Sequence, residues 1–89
     1  MSNCTRFFIS GRVQDVWYRA ATQQKALSLG ITGYAKNLPD GRVEVLACGK
    51  HDSVAELEQW LWQGSPHSEV ENIDVNRVDD NAPNSFEKR

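Results

Sequence analysis

Along this 89-residue chain the apolar side chains first alternate and then, within a few residues, recur at helical spacing, so a strand must give way to a helix across one short connection. Thr5 to Ser10 alternates, with Phe7 and Ile9 toward a core and Arg6 and Phe8 on the other face. From about Trp17 to Leu29 the residues Tyr18, Thr22, Ala26 and Leu29 fall on one helical face, and Gly30 is placed to cap the end. The connection is Gly11-Arg12-Val13-Gln14-Asp15-Val16-Trp17-Tyr18-Arg19. A turn opened by Gly11 that closes into a helix start leaves several main-chain N–H groups without partners, facing one small volume where the helix dipole also favours negative charge. Arg19 falls in the first helical turn, from which its guanidinium can offer two parallel donors to a phosphate or carboxylate.

The rest of the chain supplies the partners of this unit. Ile31 to Asn37 reads as a second strand, Leu38-Pro39-Asp40-Gly41 as a turn, and Arg42 to Cys48 as a third strand with Val43, Val45 and Ala47 on one face and Glu44, Leu46 and Cys48 on the other. Ser53-Val54-Ala55-Glu56 has the form of a capping box. It predicts a second helix from Ser53 to about Gln63, buried through Val54, Leu57 and Leu61 and ended by Gly64 and Pro66. Trp60 and Trp62 cannot both lie on that stripe. Val70 to Val78 is the fourth strand, with Ile73 and Val75 inward; residues 79 to 84 form a polar loop, and 85 to 89 a short edge strand held by Phe86.

Strand, helix, strand, strand, helix, strand is the order of an α+β, ferredoxin-like split βαβ domain, an antiparallel sheet of order 4-1-3-2 with two helices on one face. One domain over residues 1–89 is expected at this length. In that topology Gly11, Asn37 and the start of the first helix meet at one edge. The same pairing, with Ser10 near Arg42, brings Cys4 opposite Cys48 on the face away from the helices. Two free thiols and a disulfide both remain open.

Ten Lys and Arg against twelve Asp and Glu give a net charge of −2, so no global basic field draws nucleic acid or an anionic membrane, and any anion site is local. No apolar run approaches the length that spans a bilayer, and the N-terminus lacks the apolar centre of a secretory signal. A cytoplasmic monomer acting on a small molecule is the expectation. RNA binding on the sheet would need aromatic platforms on both central strands. The third strand carries none, and its Glu44 would repel phosphate.

A phosphoryl group in the loop would receive the N–H groups of Val13, Gln14, Asp15 and Val16 and the guanidinium of Arg19, donors that also stabilise charge redistributed during transfer. Asn37 carries a neutral amide that can accept from a water and donate to an oxygen, aligning a nucleophile without serving as a strong base. No Ser/His/Asp or Cys/His pair lies near this edge, and of the carboxylates a metal cage needs only Asp15 is there, so neither a metal nor a cofactor is expected. His51 and His67 read as solvated surface residues. A site without a strong base suits a good leaving group such as the carboxylate of an acyl phosphate.

The loop resembles the signature of the acylphosphatase family in its small, single-domain bacterial form: glycine-arginine-valine-glutamine-glycine-valine, then an aromatic residue and an arginine. Gly33-Tyr34-Ala35-Lys36-Asn37-Leu38-Pro39-Asp40-Gly41-Arg42-Val43-Glu44-Val45 is similar to the family's second block. The two blocks stand at the family's spacing, and the likeness runs from about Cys4 to Val78. It implies metal-free hydrolysis of an acyl phosphate to a carboxylate and orthophosphate, with Arg19 holding the phosphate and Asn37 orienting the water. Asp15 departs from the pattern, standing where the family usually has glycine. Its carboxylate is expected to turn outward. The alternative is a non-catalytic anion-binding or regulatory module on the same fold.

Overall fold

The computed structural model describes residues 4–79 and 81–89; Met1 to Asn3, and Asp80 of the polar segment 79–84, lie outside them. Among the described residues seven elements follow one another: β1 (Cys4–Arg12), α1 (Tyr18–Ser28), β2 (Thr32–Asn37), β3 (Val43–Cys48), α2 (His51–Gln63), β4 (Glu69–Val78) and β5 (Phe86–Lys88). They build one sheet of order β4-β1-β3-β2-β5. The first four strands pair antiparallel, and β5 adds to the outer edge of β2 in parallel, with Gly33 opposite Phe86. The expected ferredoxin-like order 4-1-3-2 is thus present, and the expected edge strand held by Phe86 forms as β5 beside β2. Among the described residues no helix is long and apolar enough to cross a membrane.

The core lies between the sheet and the helices. Phe7 and Ile9 of β1, Val43 and Val45 of β3, Tyr18 and Ala26 of α1, and Leu57 and Leu61 of α2 are buried together, and Phe86 anchors β5 to the same cluster. The helix α1 ends where Gly30 takes a positive φ of 71°. There the Ile31 N–H reaches the Ala26 oxygen at 2.9 Å and the Gly30 N–H reaches the Leu27 oxygen at 3.2 Å. That pair of bonds satisfies carbonyls the helix would leave orphaned.

Three expectations need correction. Gly11 does not open a turn: β1 continues to Arg12 because β4 pairs with it past an irregularity between Ser10 and Gly11. At its φ of 124° a Cβ on Gly11 would stand 2.2 Å from the Glu69 oxygen, so the glycine is there to let β4 approach. The second helix begins at His51 with Lys50 as its N-cap and no side-chain cap, so the Ser53 to Glu56 capping box does not form; Asp52 supplies the negative charge of the first turn instead. Val75 shares the parity of Ile73 but is 46% exposed, because β4 is an edge strand that α2 covers only in part.

On the open face, Arg6 lies 3.0 Å from Glu44, which also accepts from the Tyr34 hydroxyl at 2.6 Å. Arg42 lies over the Phe8 ring at 5.0 Å. Cys4 stands opposite Cys48 in the β1/β3 register, and their sulfurs are at bonding distance, 2.05 Å.

Candidate active site

The loop from Val13 to Trp17 is pinned from below. Val13 and Val16 send their side chains into the core, and the buried Ser65, just past α2, donates its hydroxyl to the Val16 oxygen at 2.6 Å. Tyr18, the first residue of α1, is buried and donates to the Leu61 oxygen at 2.7 Å; burial pushes its phenol well above the usual range. With those four residues fixed, the two between and beside them take the strain: Asp15 and Trp17 have φ of 62° and 64° and are exposed. Outside the helices and strands, no main-chain hydrogen bond among the described residues is donated by residues 13 to 17.

Arg19 sits one residue into α1, where the helix dipole disfavours a cation. Its Nη1 donates to the main-chain oxygen of Arg89, brought there by β5. The Arg89 N–H is tied in turn to the Ala35 oxygen at 2.8 Å. Arg19 lines a cavity of about 270 Å³ together with Val13, Asp15, Trp17 and Lys88. Loop and guanidinium therefore share one space. Asn37 does not line that cavity. It ends β2 opposite Val43, and its Oδ1 is buried with no donor among the described residues. Asn37 is joined to the loop through its neighbour: the Gln14 side-chain amide donates to the Leu38 oxygen at 2.8 Å and the Arg42 oxygen at 2.9 Å.

Several participants were not visible in the pattern of residues. Gln14 figured there for its N–H alone, yet its carboxamide ties loop to hairpin. Ser65 and Lys88 had no role assigned, because each reaches the loop only through the fold, Ser65 from the turn after α2 and Lys88 from β5. The fixed oxygen of Arg89 is likewise a product of the β2/β5 pairing. His51 and His67 are exposed. His67 lines a second cleft of about 450 Å³ with Arg12 and Trp17, on the side of the loop nearer β4.

Comparison with known proteins matches the acylphosphatase family model over residues 5–88. An acylphosphatase of Chromohalobacter salexigens is 50% identical over 84 residues, covering 94% of this chain and 93% of that protein. One of Halorhodospira halophila is 57% identical over 82 residues, 92% and 89% of the two chains. The structure of an acylphosphatase from Coxiella burnetii superposes with a TM-score of 0.94 at 38% identity, over 99% of this chain and 93% of the other. The likeness spans sheet, helices and loop alike: the chain belongs to the acylphosphatase family and is an enzyme of that family.

Proposed function

We propose that this protein hydrolyses acyl phosphates to a carboxylate and orthophosphate. The phosphoryl group sits on the N–H groups of Val13, Gln14, Asp15 and Val16, and the Arg19 guanidinium closes over it from the same cavity. One observation carries this reading: residues 13 to 17, which outside the helices and strands donate no main-chain hydrogen bond to another main-chain group among the described residues, stand beside an arginine held in place at a helix start. Such an array binds the ground state and meets the charge that gathers on the equatorial oxygens as the acyl oxygen departs.

Asn37 supplies the second half of the chemistry. Its buried Oδ1 accepts one proton of a water, aiming a lone pair of that water at phosphorus. The water oxygen forms the new P–O bond, the bond to the acyl oxygen breaks with its electron pair on the carboxylate, and the water's proton passes to a phosphate oxygen. A carboxylate leaves readily, so no strong general base is required. Asn37 and Arg19 are the catalytic residues of this scheme, and no metal or cofactor enters it.

Hydrolysis of benzoyl phosphate, followed with and without a chelator in wild type, Arg19→Ala and Asn37→Ala, tests the proposal. Turnover untouched by the chelator is expected, with Arg19→Ala losing both substrate capture and kcat and Asn37→Ala losing mainly kcat. Equal activity in all three would remove both assignments. Orthophosphate binding without any turnover would favour an anion-binding module.

A further inference from the structure

The Gln14 carboxamide has more to do with the hairpin than with an anion. Both of its N–H bonds point at main-chain oxygens, Leu38 at 2.8 Å and Arg42 at 2.9 Å, across 24 and 28 residues of chain. Two carbonyl acceptors leave only the NH2 end able to fill this place, and they use both its hydrogens, so no side-chain donor is left for phosphate. The same two oxygens close the turn itself: Leu38 accepts from the Gly41 N–H at 3.1 Å, and Arg42 accepts from the Leu38 N–H at 2.8 Å. Gln14 thus locks into the mouth of the hairpin at the residue next to Asn37. Its own main chain lies in the loop at residues 13 to 17.

We infer that Gln14 is a positioning residue for the hydrolysis proposed above, whose side chain fixes Asn37 relative to the phosphate loop without touching substrate. The inference rests on that hydrolytic reading. The binding groups, main-chain N–H and guanidinium, belong to the loop and α1, while the water-aiming group belongs to β2. The Gln14 amide bonds the loop to the turn that β2 enters, at Leu38, the residue next to Asn37, and at Arg42. An attacking water displaced by about 1 Å can cost on the order of a hundredfold in rate, whereas the loop that holds the anion is also pinned through Val13 and Val16 in the core and through the Ser65 bond to Val16.

Kinetics of benzoyl phosphate hydrolysis and competitive inhibition by orthophosphate are to be measured for wild type, Gln14→Met, Gln14→Glu, Asn37→Ala and the Gln14→Met/Asn37→Ala double variant, with folding checked by circular dichroism. Gln14→Met keeps the length and removes both donors; it is expected to lower kcat by about ten- to a hundredfold, with KM and the orthophosphate inhibition constant within about twofold of wild type. The double variant should be no slower than Asn37→Ala, because one residue acts only through the other. Gln14→Glu faces two carbonyl oxygens with a carboxylate at neutral pH and should recover activity relative to wild type as the pH falls and the acid becomes a donor. A kcat left at the wild-type level, a loss shared equally by KM and the inhibition constant, or an additive double variant overturns the inference while leaving the hydrolytic reading intact. A wild type that hydrolyses no acyl phosphate overturns the hydrolytic reading first, and this one with it.

Discussion

The hydroxyl of Ser65 donates a 2.6 Å hydrogen bond to the main-chain oxygen of Val16, so the turn after α2 holds the loop before α1 from 49 residues away. Both groups are buried. Ser65→Ala removes the donor and leaves the Val16 oxygen unpaired, a change that costs about 1 to 3 kcal/mol. The expected outcome is a Tm lower by several degrees together with weaker orthophosphate binding, since the carbonyl and the neighbouring N–H groups turn as one peptide chain. Calorimetry and phosphate titration of the same variant check both. Ser65→Cys or Ser65→Thr, which can donate, should retain more of each.

Asp15 adopts a φ of 62° with its side chain exposed. The left-handed region costs an ordinary L-residue roughly 1 to 2 kcal/mol, less for aspartate, and glycine occupies it freely. Asp15→Gly should therefore change stability by less than about 1 kcal/mol, relief of strain being offset by the greater freedom of the unfolded chain. If the carboxylate turns outward, as expected from the sequence, it is screened by solvent and orthophosphate should bind the variant less than about tenfold more tightly. Tightening well beyond that, measured by isothermal titration, would mean that the carboxylate turns into the site.

Much of the fold was legible in local pattern. Phe7 and Ile9, Val43 and Val45, and Val54, Leu57 and Leu61 all face the core, because alternation and helical spacing report burial directly. Counting from Ser10 beside Arg42 places Cys4 opposite Cys48, the observed register. What failed depended on neighbours distant in sequence. Val75 has the inward parity but sits on an edge strand that α2 covers only in part, Gly11 answers to the main chain of β4, and α2 starts at His51, ahead of Ser53. At the site, Arg19, Val13 and Asp15 can be read from the loop, whereas the grip of Gln14 on Leu38 and Arg42 exists only once the hairpin is folded against it.

Cys4 and Cys48 lie at the end of the sheet away from the loop, eight residue steps back along β1, or roughly 26 Å at about 3.3 Å per residue. The link joins positions 44 residues apart. Reducing it should lower stability by about 2 to 4 kcal/mol. Phosphate affinity of the folded protein should stay unchanged. Urea unfolding with and without a thiol reductant, followed by phosphate titration of the reduced form, separates the two effects; a change in affinity would mean that the sheet transmits strain along β1.

The phenols of Tyr18 and Tyr34 are both pushed above their ordinary value of 10.0, in each case first by burial and for Tyr34 also by the bond to Glu44. A raised pKa in the folded state means that, above about pH 10, the unfolded chain gives up protons the folded chain retains. Stability is therefore fully present below that pH and falls as pH rises past it. Tyr18→Phe loses the bond to Leu61 but should show a shallower fall between pH 9 and 11 in urea unfolding. A slope equal to that of wild type would assign the alkaline loss to other groups.

In the proposed reaction residues 13 to 16 and Arg19 hold the phosphoryl group. Amide-resolved nuclear magnetic resonance of the 15N-labelled protein during titration with orthophosphate tests it most directly. Saturable shifts are expected, concentrated at the N–H groups of Val13, Gln14, Asp15 and Val16 and at the Arg19 guanidinium. Shifts centred instead on the open face around Arg6 and Tyr34, or in the cleft of Arg12 and His67, with the loop unmoved, would contradict it.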